Sequence, residues 1–272
     1  MQKRIVFSLV GLLLIAACSR KQAETATVDT NAAAAQKQEI KIEPATGSPQ
    51  YPDAKLTIIS PREGQVLKNS NDSVRVVMQV TGIQLGVPTD ADSTRGIAYS
   101  KQGQHVHVII DGKPYMADYK NGQPFNVGLL GPGMHTVRAF PSYSWHESIK
   151  SKNAFDAHVF FVKSKPPGRD TNSAKLKEPT LTYSRPKGTY SGADANKVLL
   201  DFYVTNTTLA EGGSHVKVWI DGNPMPDIVK WQPYFITGLA KGKHEIRLQL
   251  VNPEGQVTPS MFHTATEEIT IN

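Results

Sequence analysis

The chain has 272 residues, of which 39% are hydrophobic and 20% charged, and this composition excludes wholesale disorder. The formal net charge of +6 comes largely from Lys3 and Arg4 near the N-terminus and from a basic stretch between residues 163 and 180. A nucleic-acid binder needs a basic face on a folded domain, so we expect no nucleic acid partner. Eighteen prolines and 21 glycines favour strands and turns over helices.

The N-terminus combines two cations with an apolar run, Ile5–Ala17, that is too short to span a bilayer as a stable helix. The run ends in Ile15-Ala16-Ala17-Cys18, and Cys18 is the only cysteine of the chain. This ending resembles the lipobox of bacterial lipoproteins. The resemblance implies that residues 1–17 are a signal peptide and that acylated Cys18 holds the exported protein on a lipid bilayer.

Two further features bear on the location. Ser19, rather than Asp, follows the cysteine, which resembles the outer-membrane signal of cells with two membranes. The alternative is an ordinary secretory leader with an incidental cysteine. Residues 18–52 carry no apolar period, and we interpret them as a lipidated cysteine followed by a disordered tether. With no second cysteine there is no disulfide, so the domains depend on packing alone.

An internal repeat organises the rest of the chain. Residues 105–114 recur as 215–224, both copies ending in Ile-Asp-Gly-x-Pro, and residues 133–138 recur as 242–247. The opening Ser60-Pro61 motif lies further from its counterpart near 184, so the first copy carries an insertion around residues 87–104. The sequence is therefore a tandem repeat with one elaborated loop.

Each copy is predicted to consist of short strands bounded by Gly, Pro, Asn or Asp. The predicted strands are 74–80, 106–110, 135–140 and 157–162 in the first copy, and 198–204, 216–220, 244–251 and 267–271 in the second. Strands at this spacing, without helical periods between them, indicate antiparallel sandwiches. The Asp-Gly pairs favour tight hairpin turns.

The opening Ser-Pro-x-x-Gly, the strand ending in Ile-Asp-Gly and the later Gly-x-His together resemble bacterial immunoglobulin-like domains. The fold class is then all-β, with two tandem immunoglobulin-like antiparallel sandwiches at 53–163 and 180–272, joined by a linker at 164–179. Pro166-Pro167-Gly168 in that linker favours semi-independent domains. Trp145-His146-Glu147-Ser148 and Trp231-Gln232-Pro233 also resemble segments of a family of exported bacterial proteins, a resemblance that implies no particular activity.

His105 and His107 are candidate copper or zinc ligands, because alternate residues of a strand share a face. Val106, Val108 and Ile110 correspond to apolar residues of the second copy and are the predicted inward set. The two histidines then lie on the other face. His135 has the inward phase and recurs as His244, and we predict a structural role for this histidine at the start of a strand. It cannot complete a site.

Only His146 or His158 can complete the pair, and only if the fold brings one of them round. The alternative is a solvated or hydrogen-bonded histidine pair. No metal and no other cofactor is therefore the leading prediction, with His105 and His107 as the metal-binding alternative.

The loop that contains Tyr143, Trp145, His146 and Glu147 is a second candidate. Aromatic rings beside hydroxyls and a carboxylate are the groups that bind a sugar ring or a peptide, and sandwich-end loops often carry binding sites. The alternative is that Trp145 folds back to cover the core.

Trp219 and Trp231 are a third candidate, as an interface between the two copies or with another protein. No nucleophile motif, separated catalytic acid or phosphate-binding loop is present, so no catalysis is expected. The leading functional prediction is a membrane-anchored envelope protein that binds or scaffolds a protein or glycan partner. The alternatives are a copper- or zinc-binding protein and a carbohydrate-binding surface module.

Overall fold

The computed structural model of the protein describes residues 39–68, 73–90, 98–165 and 173–272. The predicted signal peptide, Cys18 and the prolines of the predicted linker lie outside the described residues. All the described residues belong to one compact unit, Lys37–Asn272. Within them, no helix has the length and apolar character needed to cross a membrane.

The structure is almost entirely β, as predicted. In chain order the elements are β1 (Lys41–Pro44), β2 (Lys55–Ser60), β3 (Val66–Leu67), β4 (Val74–Thr81), β5 (His105–Ile110), β6 (Met116–Asp118), β7 (Phe125–Gly128), β8 (Gly133–Ser142), β9 (Asp156–Val162), α1 (Ser173–Leu176), β10 (Thr180–Arg185), β11 (Gly188–Tyr190), α2 (Ala193–Asn196), β12 (Val198–Thr205), β13 (His215–Ile220), β14 (Asn223–Pro224), β15 (Tyr234–Thr237), β16 (Gly242–Val251) and β17 (Thr264–Ile271).

The strands form four sheets in two sandwiches. The first sandwich packs the sheet β2-β4-β7 against β3-β9-β8-β5-β6, and the second packs β1-β15-β12-β10 against β11-β17-β16-β13-β14. All pairings are antiparallel except the short edge pairs β3–β9 and β11–β17. Each of the eight predicted strands overlaps a strand of the structure, and the repeat appears as the correspondence of β2–β9 with β10–β17. The predicted all-β fold is confirmed.

The cores follow the predicted strand phase. Val106, Val108 and Ile110 of β5 lie in the core of the first sandwich with Val137 and Ala139 of β8. Their counterparts Val216, Val218 and Ile220 lie in the core of the second. Because strand residues alternate between faces, the other set of β5 side chains points away from its own sandwich.

The Asp-Gly hairpin turns, and the histidines that hydrogen-bond with them, repeat in both copies. Asp221 and Gly222 join β13 to β14 with φ of 52° and 75°, the double positive φ that favours Asp-Gly in a two-residue turn. The Asp221 carboxylate accepts from His244 Nδ1 at 2.7 Å, while His244 Nε2 donates to the Ala240 carbonyl at 2.8 Å. His135 makes the same two contacts with Asp111 and Gly131. Both rings brace a turn against a strand start.

The predicted tether is wrong at its C-terminal end. Residues 41–44 form β1, which pairs with β15 and so adds a strand to the second sandwich before the chain enters the first. A Cβ on Gly238 would lie 2.2 Å from the Glu39 carbonyl oxygen, so this position needs glycine for the segment to dock. The segment was predicted as tether because β1 is short, exposed on one side and has only two apolar residues.

The expectation of semi-independent domains is also wrong. The Asp201 carboxylate on β12 is fully buried and accepts from the Ser148 amide at 2.9 Å and from Lys150, both in the first sandwich. The Tyr203 ring stacks between Phe140 and Phe155, with both centroid distances 5.1 Å. A buried ion pair and an aromatic stack across the contact hold the sandwiches together.

The contacts of His244 predict that the protein loses stability as the pH rises. Partial burial lowers the pKa of His244, but the Ala240 carbonyl and the Asp221 carboxylate outweigh it, so the pKa lies above its usual value of 6.5. A raised pKa in the folded state gives stability that is complete below pH 6.5 and is lost as pH rises through the raised value. We expect the difference in unfolding free energy between the wild type and H244Q to shrink between about pH 6 and pH 9.

The measurement is urea unfolding at several pH values, with H263Q as a matched control, because the His263 ring hydrogen-bonds with the hydroxyl of Thr264 and forms no ion pair with a carboxylate among the described residues. A difference for H244Q that grows with pH would contradict the assignment.

Candidate metal centre between the sandwiches

The outer face of β5 is buried by the second sandwich. On this face His105 lies opposite Ser142 and His107 opposite Phe140 of β8. Ser184 of β10 contacts His107, and both histidines have 0% of their surface exposed. The sequence places both rings on this face but cannot show that another domain covers it.

The third histidine comes from the loop after β8. His146 donates its amide hydrogen to the Tyr143 carbonyl at 2.9 Å, closing a tight turn, and has φ of 67°. This left-handed conformation is uncommon for residues other than glycine, and histidine is one of the residue types that adopt it more often than the rest. The turn points the His146 ring at the β5 pair, which is the arrangement that the sequence left open.

Three ring nitrogens converge. The His105 Nε2 atom lies 3.1 Å from His107 Nε2 and 3.0 Å from His146 Nδ1. All three ligand atoms lie within 4.8 Å of one another. Among the described residues, this is the one cluster of three or more histidine, cysteine or acidic side chains with metal-binding spacing. His158, the other predicted completing residue, instead contacts the Pro61 carbonyl at 2.8 Å.

The outer contacts of the rings bear on their tautomers. His105 Nδ1 donates to the Gly103 carbonyl at 2.9 Å, which leaves a lone pair on Nε2. The Ser184 hydroxyl lies 3.1 Å from His107 Nδ1. When His107 Nδ1 donates to that hydroxyl, His107 Nε2 has a lone pair as well, and this is the tautomer that a metal ion requires; in the other tautomer His107 Nε2 donates to His105 Nε2, 3.1 Å away. Gly103 and Ser184 hold the outer nitrogens of the two rings, as the hydrogen-bond partners of metal-binding histidines usually do.

Electrostatics keep the rings neutral. Burial lowers the pKa of His105 to about 4, with a further contribution from Arg185. Burial, followed by the other two imidazoles and Arg185, lowers the pKa of His107 well below its usual range. Burial and the charge of Arg185 likewise lower the pKa of His146. Neutral imidazoles are the form that binds metal ions, so no proton has to leave at neutral pH.

The geometry suits a small metal ion with modest adjustment. Metal–nitrogen bonds of 2.0–2.1 Å place two coordinating nitrogens roughly 3.3–3.6 Å apart. The two separations from His105 Nε2 are slightly shorter than this, and the largest separation exceeds it by about an ångström. His146 is only partly buried and lies on a loop, so its ring can make that movement.

Two tyrosines enclose the cluster. The Tyr115 ring stacks on His107 with centroids 3.5 Å apart and planes 6° from parallel, and its hydroxyl lies 3.2 Å from His146 Nδ1. The Tyr119 ring lies 4.8 Å from that of His105. Neither tyrosine was predicted as part of a site. The signal available was the strand pairing of β5 with β6, which brings residues 115–119 alongside the histidines.

The second copy provides an internal comparison. His215 Nδ1 contacts the Gly213 carbonyl at 2.9 Å, as His105 does with Gly103, so the orientation of this histidine belongs to the repeat. His215 Nε2, however, lies 3.4 Å from the half-exposed Asp227 carboxylate, and Lys217 occupies the position of His107. The triad therefore depends on two histidines that only the first copy has.

The predicted aromatic binding loop is not a surface. Tyr143 and Trp145 are 3% and 1% exposed and stack with centroids 4.8 Å apart. They share a cluster with Ala45, Leu199 and Phe235, which belong to the N-terminal segment and the second sandwich. The alternative that Trp145 covers a core is therefore correct.

Of the other two residues of this loop, Glu147 is structural and His146 belongs to the histidine cluster. Glu147 is buried, and its carboxylate accepts from Trp145 Nε1 and Ser48 Oγ, both at 2.8 Å. Burial raises the pKa of Glu147. Of the four predicted loop residues, only His146 reaches the metal-binding cluster.

The two tryptophans of the second copy have different surroundings. Trp231 packs against the cluster that joins Phe140 of the first sandwich to Tyr203 of the second, and its ring lies 5.9 Å from Lys150 Nζ, so it takes part in the packing between sandwiches. Trp219 lies instead under the Arg247 guanidinium, 4.7 Å from its ring centroid, within the second sandwich. Only Trp231 fits the predicted packing between copies.

No protein-family model and no curated protein matches the chain. Solved structures that match it include the fibronectin(III)-like modules of CbhA from Clostridium thermocellum, with 13% identity, TM-score 0.26, and 80% of this chain and 94% of that chain covered. A second is SGBP-B of the Bacteroides ovatus mixed-linkage glucan utilization locus, in complex with a mixed-linkage heptasaccharide, with 13% identity, TM-score 0.24, and coverage of 79% and 47%.

A third match is to domains 4 and 5 of the S-layer protein SbsC, with 11% identity, TM-score 0.19, and 82% and 99% of the two chains covered. The chain spans about half of the SGBP-B structure. At these identities and TM-scores the matches transfer no ligand and no activity, so the function has to be inferred from the site itself.

The buried position of Trp145 predicts a structural role. Replacing a fully buried tryptophan with alanine removes its packing and leaves a cavity, so we expect W145A to lower the unfolding free energy by about 3–5 kcal/mol. W219A is the matched control and should cost about 1 kcal/mol or less, because Trp219 is partly exposed. Chemical unfolding followed by circular dichroism measures both losses. A W145A protein as stable as W219A would contradict the structural role and favour a surface position for the loop.

Proposed function

We propose that this protein is an exported, lipid-anchored envelope protein that binds one transition-metal ion through His105, His107 and His146. The observation that supports the metal site is the meeting of three ring nitrogens within 4.8 Å of one another in a buried site, with His105 Nε2 and His107 Nε2 3.1 Å apart. Their outer nitrogens are committed to Gly103 and Ser184, the arrangement that orients histidine ligands in metalloproteins.

The site lies at the contact between the sandwiches, and residues of both contribute to it. Ser184 of β10 holds His107 from the second sandwich, and Lys187 donates to the Tyr115 carbonyl at 2.7 Å. A bound ion is thereby linked to the docking of the domains, and we expect it to stabilise the docked arrangement. We propose binding without catalysis, and the predicted protein or glycan partner stays a prediction.

Metal titration of the full-length protein in detergent tests the proposal. We expect one copper or zinc ion per chain, with affinity reduced at least about tenfold in H107Q and in H146A, because each loses a ligand. H215A is the matched control, since His215 makes the same backbone contact in the second copy without a neighbouring histidine. Its affinity should equal that of the wild type.

Because His107 is fully buried, folding of H107Q is checked by circular dichroism. His146 is only partly buried, so H146A gives a second measurement should H107Q not fold. No stoichiometric binding, or binding that H146A leaves unchanged, would overturn the metal site.

Membrane attachment is a separate part of the proposal. It is supported by the sequence around Cys18, where two cations, a short apolar run and Ala-Ala precede the single cysteine. Acyl chains on that cysteine would bury enough methylene groups for durable attachment.

In bacteria grown with an alkyne fatty acid, we expect the wild-type protein to incorporate the label and to pellet with membranes. C18A should do neither, because the acceptor thiol is gone. A labelled C18A, or an unlabelled wild type that is released to the soluble fraction, would show that the leader is an ordinary secretory one. S19A keeps the thiol and is the matched control for changes at the cleavage site.

A further inference from the structure

We infer that the ion held by His105, His107 and His146 is monovalent copper, Cu(I), in preference to Zn(II). This inference rests on the proposed metal site and concerns which ion that site selects. It follows from the charge of the ligands, the charges around them and the number of nitrogens they offer.

The ligands bring no negative charge. Among the described residues the cluster contains three imidazoles and neither a carboxylate nor a thiolate. The loaded site therefore carries the full charge of the ion. His105 and His107 are completely buried, and the cost of moving an ion from water into a buried site rises with the square of its charge. A dication pays about four times the desolvation cost of a monocation of equal size.

The surrounding charges add to this preference. Lys187 Nζ lies 4.2 Å from the centre of the Tyr115 ring, whose other face stacks on His107. The Arg185 guanidinium lies 5.4 Å from the same ring centre. The charged groups that act on the three imidazoles from outside the cluster are these two cations. Their repulsion is proportional to the charge of the ion, so it is twice as large for a dication.

The number of nitrogens points the same way. Zn(II) takes a fourth ligand, which is a water molecule where the protein supplies three histidines. A d¹⁰ monocation such as Cu(I) is complete with two or three nitrogens, and imidazole is among the ligands that copper takes. These three histidines therefore satisfy Cu(I) by themselves, whereas Zn(II) needs a water molecule as well.

The experiment compares two ions on the full-length protein. Cu(I) is titrated without oxygen, under reductant, against the chromophoric Cu(I) chelator bicinchoninate, and Zn(II) is titrated against a zinc-binding dye. We expect Cu(I) to bind one per chain and more than about tenfold more tightly than Zn(II).

The substitution K187Q supplies an internal test of the charge argument. Removing this cation should strengthen binding of both ions, and the factor for Zn(II) should be about the square of the factor for Cu(I), because the Coulomb energy doubles with the charge. K243Q is the matched control, since Lys243 is an exposed cation of the second sandwich that pairs with Glu268. It should change neither affinity.

The outcomes separate the two proposals. If neither ion binds, or if H146A leaves Cu(I) binding unchanged, the metal site itself is wrong. If Zn(II) binds through the three histidines as tightly as Cu(I), or K187Q strengthens both ions by the same factor, the metal site stands and the preference for Cu(I) is overturned. Should K187Q fail to fold, R185Q carries the same charge comparison, because Arg185 acts on all three imidazoles.

Discussion

Everything distinctive in this protein depends on one strand, β5, having both faces buried. A sandwich strand normally packs one face on the core and leaves the other in water, which allows polar side chains on the outer face at no cost. Here the second sandwich covers that outer face, so His105 and His107 lose their water. A buried polar group has to find a partner or bind something, because leaving it unpaired costs free energy. The site results from that requirement.

The buried polar groups at the contact between the two sandwiches find their partners in different ways. Arg138 donates to the Thr182 hydroxyl at 2.8 Å and its guanidinium lies 3.6 Å from the centre of the Phe262 ring, while Asp201 is paired with Lys150. These groups have partners in the other sandwich and serve the docking, although the buried Arg138 Nε has no partner among the described residues. The outer nitrogens of His105 and His107 contact Gly103 and Ser184, while the inner nitrogens of the three histidines contact one another. The same interface thus contains a part that serves docking and a part whose nitrogens can bind a metal ion.

Duplication explains why there is one site and not two. Both copies orient a histidine at the start of the equivalent strand through a glycine carbonyl two residues earlier. In the second copy that face is only partly covered, so Lys217 can occupy the next position without penalty. In the first copy the covered face disfavours a charged lysine and suits a neutral imidazole. The N-terminal strand β1 adds to this asymmetry by extending the second sandwich and placing residues 45–51 over the loop that carries His146.

The sequence by itself determined the all-β class, the tandem repeat, the eight central strands and the inward phase of Val106, Val108 and Ile110, because alternation and turn residues are local properties of the chain. It also put His105 and His107 on one face. It misjudged β1, since a four-residue strand with two apolar side chains has no local signature, and it left open whether Trp145 lies at the surface or covers a core. Which loop returns to the histidines, and what covers their face, depends on contacts between residues 41 and 77 positions apart along the chain. Only the tertiary structure decides these, because burial is a property of what packs against a residue and not of the residue itself.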